Sequence, residues 1–300
     1  MTITLRVPTD FNFWSTVHSH GWSSLPPFHV NKEEKALERI LELSNEKIIL
    51  LRIAPRTSSS LTIDVECGSV LSQQSRKEII ASVTSSFRLG EDYSVFYTEA
   101  RKHKPYRWIP KTGAGRLLRA PTVFEDAVKM ICTTNCSWAL TEIMTENLCR
   151  KLGSGFQNER FTFPKPEAIA DATEKFLRKE IRVGYRAPYL MELSRNIVKG
   201  KVNIEKWRTS TLPTEELFEA VRSVKGIGPY AAGNILKLLG RYDYLGIDSW
   251  CRKQFFAMYK NGRKISDRTI EKFYHPYAEW RGLFFWMDVT KHWYDKEFPF

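Results

Sequence analysis

Residues 217–250 read LFEAVRSVKGIGPYAAGNILKLLGRYDYLGIDSW, and their punctuation sets the architecture of the chain's second half. Leu217, Val221 and Val224 recur at helical spacing behind Thr214, a residue suited to cap that helix. Lys225-Gly226-Ile227-Gly228 breaks the pattern, and Pro229 opens a second apolar helix that stops before Gly240. Two glycines around one apolar residue permit a tight turn between helices and leave backbone N–H groups uncovered. Those groups stand at the positive end of the second helix, which suits them to a phosphate. Ile227 is expected to plug the turn into the core. Twenty residues past Gly228 comes Asp248, after Leu245-Gly246-Ile247 and before Ser249-Trp250-Cys251-Arg252. Alone, an aspartate so placed reads as a helix N-cap. It can also cap the helix and still present an oxygen to a cleft.

The helical texture extends back to Thr122, which caps a stripe of Phe124, Val128 and Ile131 and forms a capping box with Glu125. Ser137 is placed to cap the next helix, with Gly153 just past its end, and Pro166 opens another. Tyr189, Leu190, Leu193 and Ile197 form a further stripe that stops at Gly200. The first seventy residues differ. Thr2–Val7, Ile48–Ile53 and Leu61–Val65 read as strands between turn formers, and helices are expected over 75–88 and 92–101. The fold class is α+β, with a β-rich domain over 1–104 and an all-α domain over 105–300.

Net charge is +12, which draws polyanions to the surface because each cation meeting a phosphate releases counterions. Arg101-Lys102-His103-Lys104, Arg107, Lys111, Arg116 and Arg119 run without an acid until Glu125. They read either as a solvated linker or as a phosphate-facing strip interleaved with Tyr106 and Trp108. Cysteines 67, 132, 136, 149 and 251 include no C-x-x-C pair and argue against a disulfide framework or a zinc site. Cys132 and Cys136 are one helical turn apart and close enough to touch. His18-x-His20 is read as strand residues rather than a metal site. No apolar run is long enough to span a membrane and no secretory signal is visible, so a cytoplasmic, nucleoid-associated monomer is expected.

The hairpin followed by Asp248 resembles the helix-hairpin-helix (HhH-GPD) DNA glycosylase superfamily. That resemblance implies an N-terminal antiparallel, TBP-like β domain ahead of a helical catalytic domain. It implies that Gly226, Ile227, Gly228 and Tyr230 form a hairpin that binds a DNA phosphate, and that Asp248 acts on a flipped nucleotide. The chemistry calls for an anion, since breaking an N-glycosidic bond builds positive charge at C1′ and a water must be oriented. Members that also cut the strand carry a Schiff-base lysine two residues after the second glycine. Here that position is Tyr230, and neither Lys225 nor Lys237 matches it, so a monofunctional hydrolase without efficient lyase activity is expected.

Ile131-Cys132-Thr133-Thr134-Asn135 and Gly184-Tyr185-Arg186-Ala187-Pro188-Tyr189 are similar to the 8-oxoguanine glycosylase branch. By that likeness Asn135 fills the gap left by the flipped base, Tyr185 wedges the stack and Arg186 reaches the opposite base. Gly21 and Trp22 fall where the branch presents a backbone carbonyl to the damaged base. His275–Trp280 resembles the start of its last pocket helix. Two positions depart from the pattern: Gly282 replaces a base-reading glutamine and Trp286 a stacking phenylalanine. Gly282 is expected to open the pocket and Trp286 to wall it. The implied partner is double-stranded DNA with a modified base. An alkylated or oxidised purine is expected, with a bulky hypermodified base such as phage glucosylated hydroxymethylcytosine as the alternative. A non-catalytic hairpin DNA-binding module is the competing class, which Asp248 and the Tyr185–Arg186 pair argue against. No cofactor is expected: no iron–sulfur cluster, because only Cys251 follows the hairpin, and at most a structural monovalent cation at the hairpin.

Overall fold

In the computed structural model, residues 1–157 and 159–295 are described. Five strands, β1 (Thr2–Arg6), β2 (Phe28–Asn31), β3 (Ala36–Glu42), β4 (Ile48–Thr57) and β5 (Ser60–Glu66), form one antiparallel sheet in the order β1-β5-β4-β3-β2. Alternation explains the strands the sequence advertised: Leu61, Ile63 and Val65 point inward while Thr62 and Asp64 do not. Ile3 and Ile53 face Ile63 across the ladder. Helix α1 (Gln73–Ser86) follows the sheet, burying Ile79 and Val83 in the common core, and α2 (Ser94–Lys102) comes next.

Strands β2 and β3 were not visible in the sequence. Ala36–Glu42 reads ALERILE, a pattern of good helix formers, and its centre carries Glu38 and Arg39. Both charges are buried because partners await them. Arg39 donates to Glu125 through two nitrogens at 3.1 and 2.5 Å, and Glu38 is paired with Arg52 and Arg160.

The longer helices that follow are α3 (Val123–Thr133), α4 (Trp138–Leu152), α5 (Ala187–Val198), α6 (Thr214–Arg222), α7 (Pro229–Leu239), α8 (Ser249–Tyr259), α9 (Asp267–Tyr274) and α10 (Arg281–Tyr294). Ser137 and Asp248 cap α4 and α8 through their side chains, as expected. Thr214 does not cap α6: it is already helical, and Pro213 takes the cap position without a side-chain bond. Thr122 accepts from the Glu125 amide at 3.2 Å, but the box stays half-made. The Glu125 carboxylate turns inward to Arg39 and Lys129 instead.

The basic run before α3 is not a phosphate-facing strip along its length. Arg116 and Arg119 are buried and hold carbonyls: Arg116 those of Arg88 and Glu91, Arg119 those of Ser85 and Leu238. Only its first part, Arg101, Lys102, Lys104, Arg107 and Lys111, is exposed. Cys132 and Cys136 do not pair; α3 ends at Thr133, and the Cys136 thiol lies 3.1 Å from the Cys132 carbonyl. No described helix is long and apolar enough to cross a membrane.

Candidate active site

The α6–α7 turn exposes backbone on purpose. Gly226 has φ of +90°, and a Cβ there would fall 2.7 to 2.8 Å from the Tyr189 ring, so both conformation and space call for glycine. Ile227 is 4% exposed and anchors the turn in the core. Gly228 caps α7 with no side chain over it and nothing within 4 Å of a Cβ. Because the first turn of a helix has no internal acceptors for its N–H groups, those of Tyr230 and Ala231 are left to an external partner.

Opposite the hairpin stands a rim. Asn135, with φ of +47°, sits just past the end of α3, and its amide nitrogen is 3.4 Å from the Tyr185 hydroxyl. Tyr185 is 44% exposed and meets Tyr189 edge to face at 6.1 Å between ring centroids. Rim and hairpin together line a groove that runs from Thr134 past Lys225 to Arg252. Arg186 does not face it. Its guanidinium is buried, donating to the carbonyls of Ile131, Thr134 and Val183 while covering the inner face of the Tyr185 ring at 4.6 Å. The expectation that Arg186 reaches outward is therefore corrected: it braces the loop that carries Asn135.

The groove opens into a cavity of about 520 Å³, and Asp248, Tyr230 and Thr133 line both. One Asp248 oxygen accepts from the Cys251 amide at 2.7 Å and caps α8. Tyr230 projects from the first turn of α7 with its hydroxyl flanked by Asp248 and Thr133; burial, then the Asp248 charge, pushes its phenol well above the ordinary range. Burial and the same carboxylate likewise push the Cys251 thiol up. Tyr230 and Cys251 are therefore neutral donors beside an acceptor.

Aromatic rings wall the cavity: Trp22, Trp138, Trp250, Trp286 and Trp293. Three of these walls are pinned by polar bonds. The Trp22 indole donates to Asp126 at 2.8 Å, and Trp286 to the Ser19 carbonyl at 2.9 Å. Burial raises the Asp126 carboxyl to about 6, while Arg208 and the Ala120 amide hold its oxygens. Trp138 lies directly over Gly21, where a Cβ would collide with its ring, and donates to Glu142 at 2.9 Å. His20 is uncharged at neutral pH, since burial drops its value to about 4; its ring bonds the Leu118 carbonyl.

Gly282 does not line this cavity. It is buried at the start of α10, where its amide bonds the Tyr242 carbonyl at 2.7 Å. A Cβ would run into the carbonyls of Tyr242 and Tyr244. The glycine lets a helix sit directly on a neighbouring loop, and adds no room for a base. That corrects the expectation of an opened pocket. Trp286, one turn further on, does wall the cavity as expected.

Sequence reasoning missed Trp138, Asn234 and Lys237 as lining residues. Lys237 is 2% exposed, and its ammonium donates to the Leu245 carbonyl at 2.5 Å and to Asn234 Oδ1 at 3.0 Å. Burial lowers its value to about 8, against the pull of Cys251 and Asp248. The signal was present: a lysine inside Ile235–Leu239, seven residues from Tyr230 and hence on the same helix face. A second cavity, of about 560 Å³, lies between β3 and the Pro164–Pro166 turn, and none of these residues lines it.

Residues 128–275 match the family model of the HhH-GPD superfamily base excision DNA repair protein. Among curated proteins, a probable N-glycosylase/DNA lyase of Methanothermobacter thermautotrophicus is 27% identical, with 90% of this chain and 89% of that protein covered. Among solved structures, the 3-methyladenine DNA glycosylase of Archaeoglobus fulgidus superposes with a TM-score of 0.75 at 18% identity, over 97% of this chain and 99% of that one. The 8-oxoguanine glycosylase/lyase of Clostridium acetobutylicum gives 0.73 at 19% identity, over 96% and 95%. These similarities show the fold: an antiparallel sheet followed by a helical region.

Proposed function

We propose that this chain, which carries an HhH-GPD superfamily domain, is a DNA glycosylase that flips a modified base out of duplex DNA and hydrolyses its N-glycosidic bond. The observation that carries the reading is the place of Asp248, at the mouth between a backbone-lined groove and an aromatic-walled cavity. A phosphate held at the α7 N-terminus puts the strand over the groove, and a flipped base enters the cavity. The reacting C1′ then stands at the mouth, beside the carboxylate. Asn135 and Tyr185 fill the gap in the stack from the other side.

Asp248 fixes one oxygen on the Cys251 amide, and the reaction uses the other, beside the neutral Tyr230 hydroxyl. As the bond breaks, that oxygen stabilises positive charge at C1′ and orients a water; the water's oxygen bonds to C1′ and a proton leaves with the base. Tyr230 carries no amine for a Schiff base, so the product is an abasic site in an intact strand. No step in this scheme uses a cofactor, and one copy of the chain holds every group named.

An alkylated or oxidised purine fits the cavity's planar aromatic walls. The alternative of a bulky hypermodified base rested on space at Gly282, and the structure offers none there. The test is incubation with duplexes carrying alkylated, oxidised or glucosylated bases, followed by mass spectrometry of the released base. Release of a free purine with strand cleavage only after alkali supports the reading. Direct strand scission rules out the hydrolytic, lyase-free form.

A further inference from the structure

The cavity holds one buried cation, and nothing in the scheme above uses it. Lys237 leaves α7 two turns below Tyr230, about 10 Å along the axis at ~1.5 Å per residue. Tyr230 stands at the mouth, so Lys237 belongs to the depth of the base rather than to the sugar. Its ammonium has three hydrogens and two protein acceptors, Leu245 O and Asn234 Oδ1. Asn234 is itself fixed, donating to the Tyr230 carbonyl at 3.0 Å and to the Gly246 carbonyl at 3.2 Å. The head lies 5.5 Å from the centre of the Trp286 ring, and both residues line the cavity.

We propose that Lys237 reads the charge of the flipped base: its ammonium donates to a carbonyl or unprotonated ring nitrogen and excludes bases that carry a formal positive charge. This rests on the reading of the cavity as a base pocket. Five indole walls by themselves would welcome a cationic, N-alkylated purine through cation–π attraction. A fixed ammonium on the same wall reverses that preference, because two like charges within a desolvated pocket repel far more strongly than in water. The pocket therefore takes neutral, carbonyl-bearing bases, and among modified purines it favours oxidised over cationic alkylated ones. Lys237 is a specificity residue in this scheme, and Asn234 positions it.

The test uses duplexes with a single 8-oxoguanine, hypoxanthine, 7-methylguanine or 3-methyladenine. Base release is followed under single-turnover conditions for the wild type, Lys237→Met and Lys237→Gln. Equilibrium binding of each duplex is measured on the same proteins carrying Asp248→Asn as well. The wild type is expected to favour neutral over cationic bases at least tenfold. Lys237→Met should cut that ratio at least tenfold by weakening the neutral bases and admitting the cationic ones. Lys237→Gln, which keeps a donor for Leu245, should retain neutral-base binding and lose the exclusion. A wild type that prefers a cationic base overturns the proposal, whatever the variants do. So does a neutral-to-cationic ratio that Lys237→Gln leaves within twofold. If no base is released from any duplex, the glycosylase reading falls, while the binding ratios still decide the charge filter.

Discussion

Gly282 and Lys237 changed meaning once their surroundings were known. At Gly282 the missing side chain serves backbone contact. Gly282→Ala should destabilise the fold by about 1–3 kcal/mol, the usual cost of overpacking, with a lower Tm and no widening of substrate range. A variant of unchanged stability would show that α10 can move off the Tyr242–Tyr244 loop. At Lys237 the buried ammonium is held at about 8, below the ordinary lysine value near 10.4 that the unfolded chain would show. Between those values the unfolded chain binds the proton and the native one does not, so stability rises with pH across that window. Below about 8 both states are protonated and the burial penalty is constant. The titratable groups whose charge acts on Lys237 are Cys251 and Asp248, and Lys237 in turn acts on the uncharged His20. Chemical denaturation from pH 7 to 10.5 should therefore show the wild type gaining stability relative to Lys237→Met above pH 8. Parallel curves for the two proteins would contradict the shift.

At the scale of elements, the hairpin presents α7 and the end of α3 presents the rim. Gly226→Ala forces an L residue to φ near +90° and drives a methyl into Tyr189, which packs behind the rim tyrosine. Duplex affinity should fall at least tenfold for modified and unmodified DNA alike, because a phosphate contact carries no sequence information. A loss confined to modified DNA would place Gly226 in base recognition instead. Much of this element-level picture was legible beforehand. Gly226 and Gly240 take left-handed conformations that few other residues allow, Pro229 marks a helix start, and Asp248 caps α8 as its position required. What escaped notice depended on partners far along the chain. β3 looks helical until Arg39 meets Glu125, and Arg116 looks like a surface charge until it meets the carbonyls of Arg88 and Glu91. Arg186, Gly282 and Lys237 were misjudged for the same reason: local pattern gives a residue's address on its element, and burial is settled by the neighbouring element.

For the whole molecule, the cavity exists only because the two ends of the chain close on it. Ser19 holds Trp286 across 267 residues, Trp22 bonds Asp126, and Trp138 covers Gly21. Asp126→Ala would release the Trp22 indole and leave the partly buried Arg208 without its carboxylate. Removing one member of a buried ion pair costs about 3–5 kcal/mol, so this variant should be the least stable of those named. Base release should fall with it, while salt-dependent binding to undamaged DNA, driven by the +12 charge, should persist wherever the protein remains folded.

The central claim is that Asp248 is the group at the reacting carbon. Asp248→Asn preserves an acceptor for the Cys251 amide and removes only the charge. Single-turnover base release should fall about 10²–10³-fold, the scale of losing one electrostatic stabiliser of the transition state, with duplex binding and Tm nearly unchanged. Release at the wild-type rate by Asp248→Asn would show that the carboxylate is a helix cap and that the chemistry lies elsewhere.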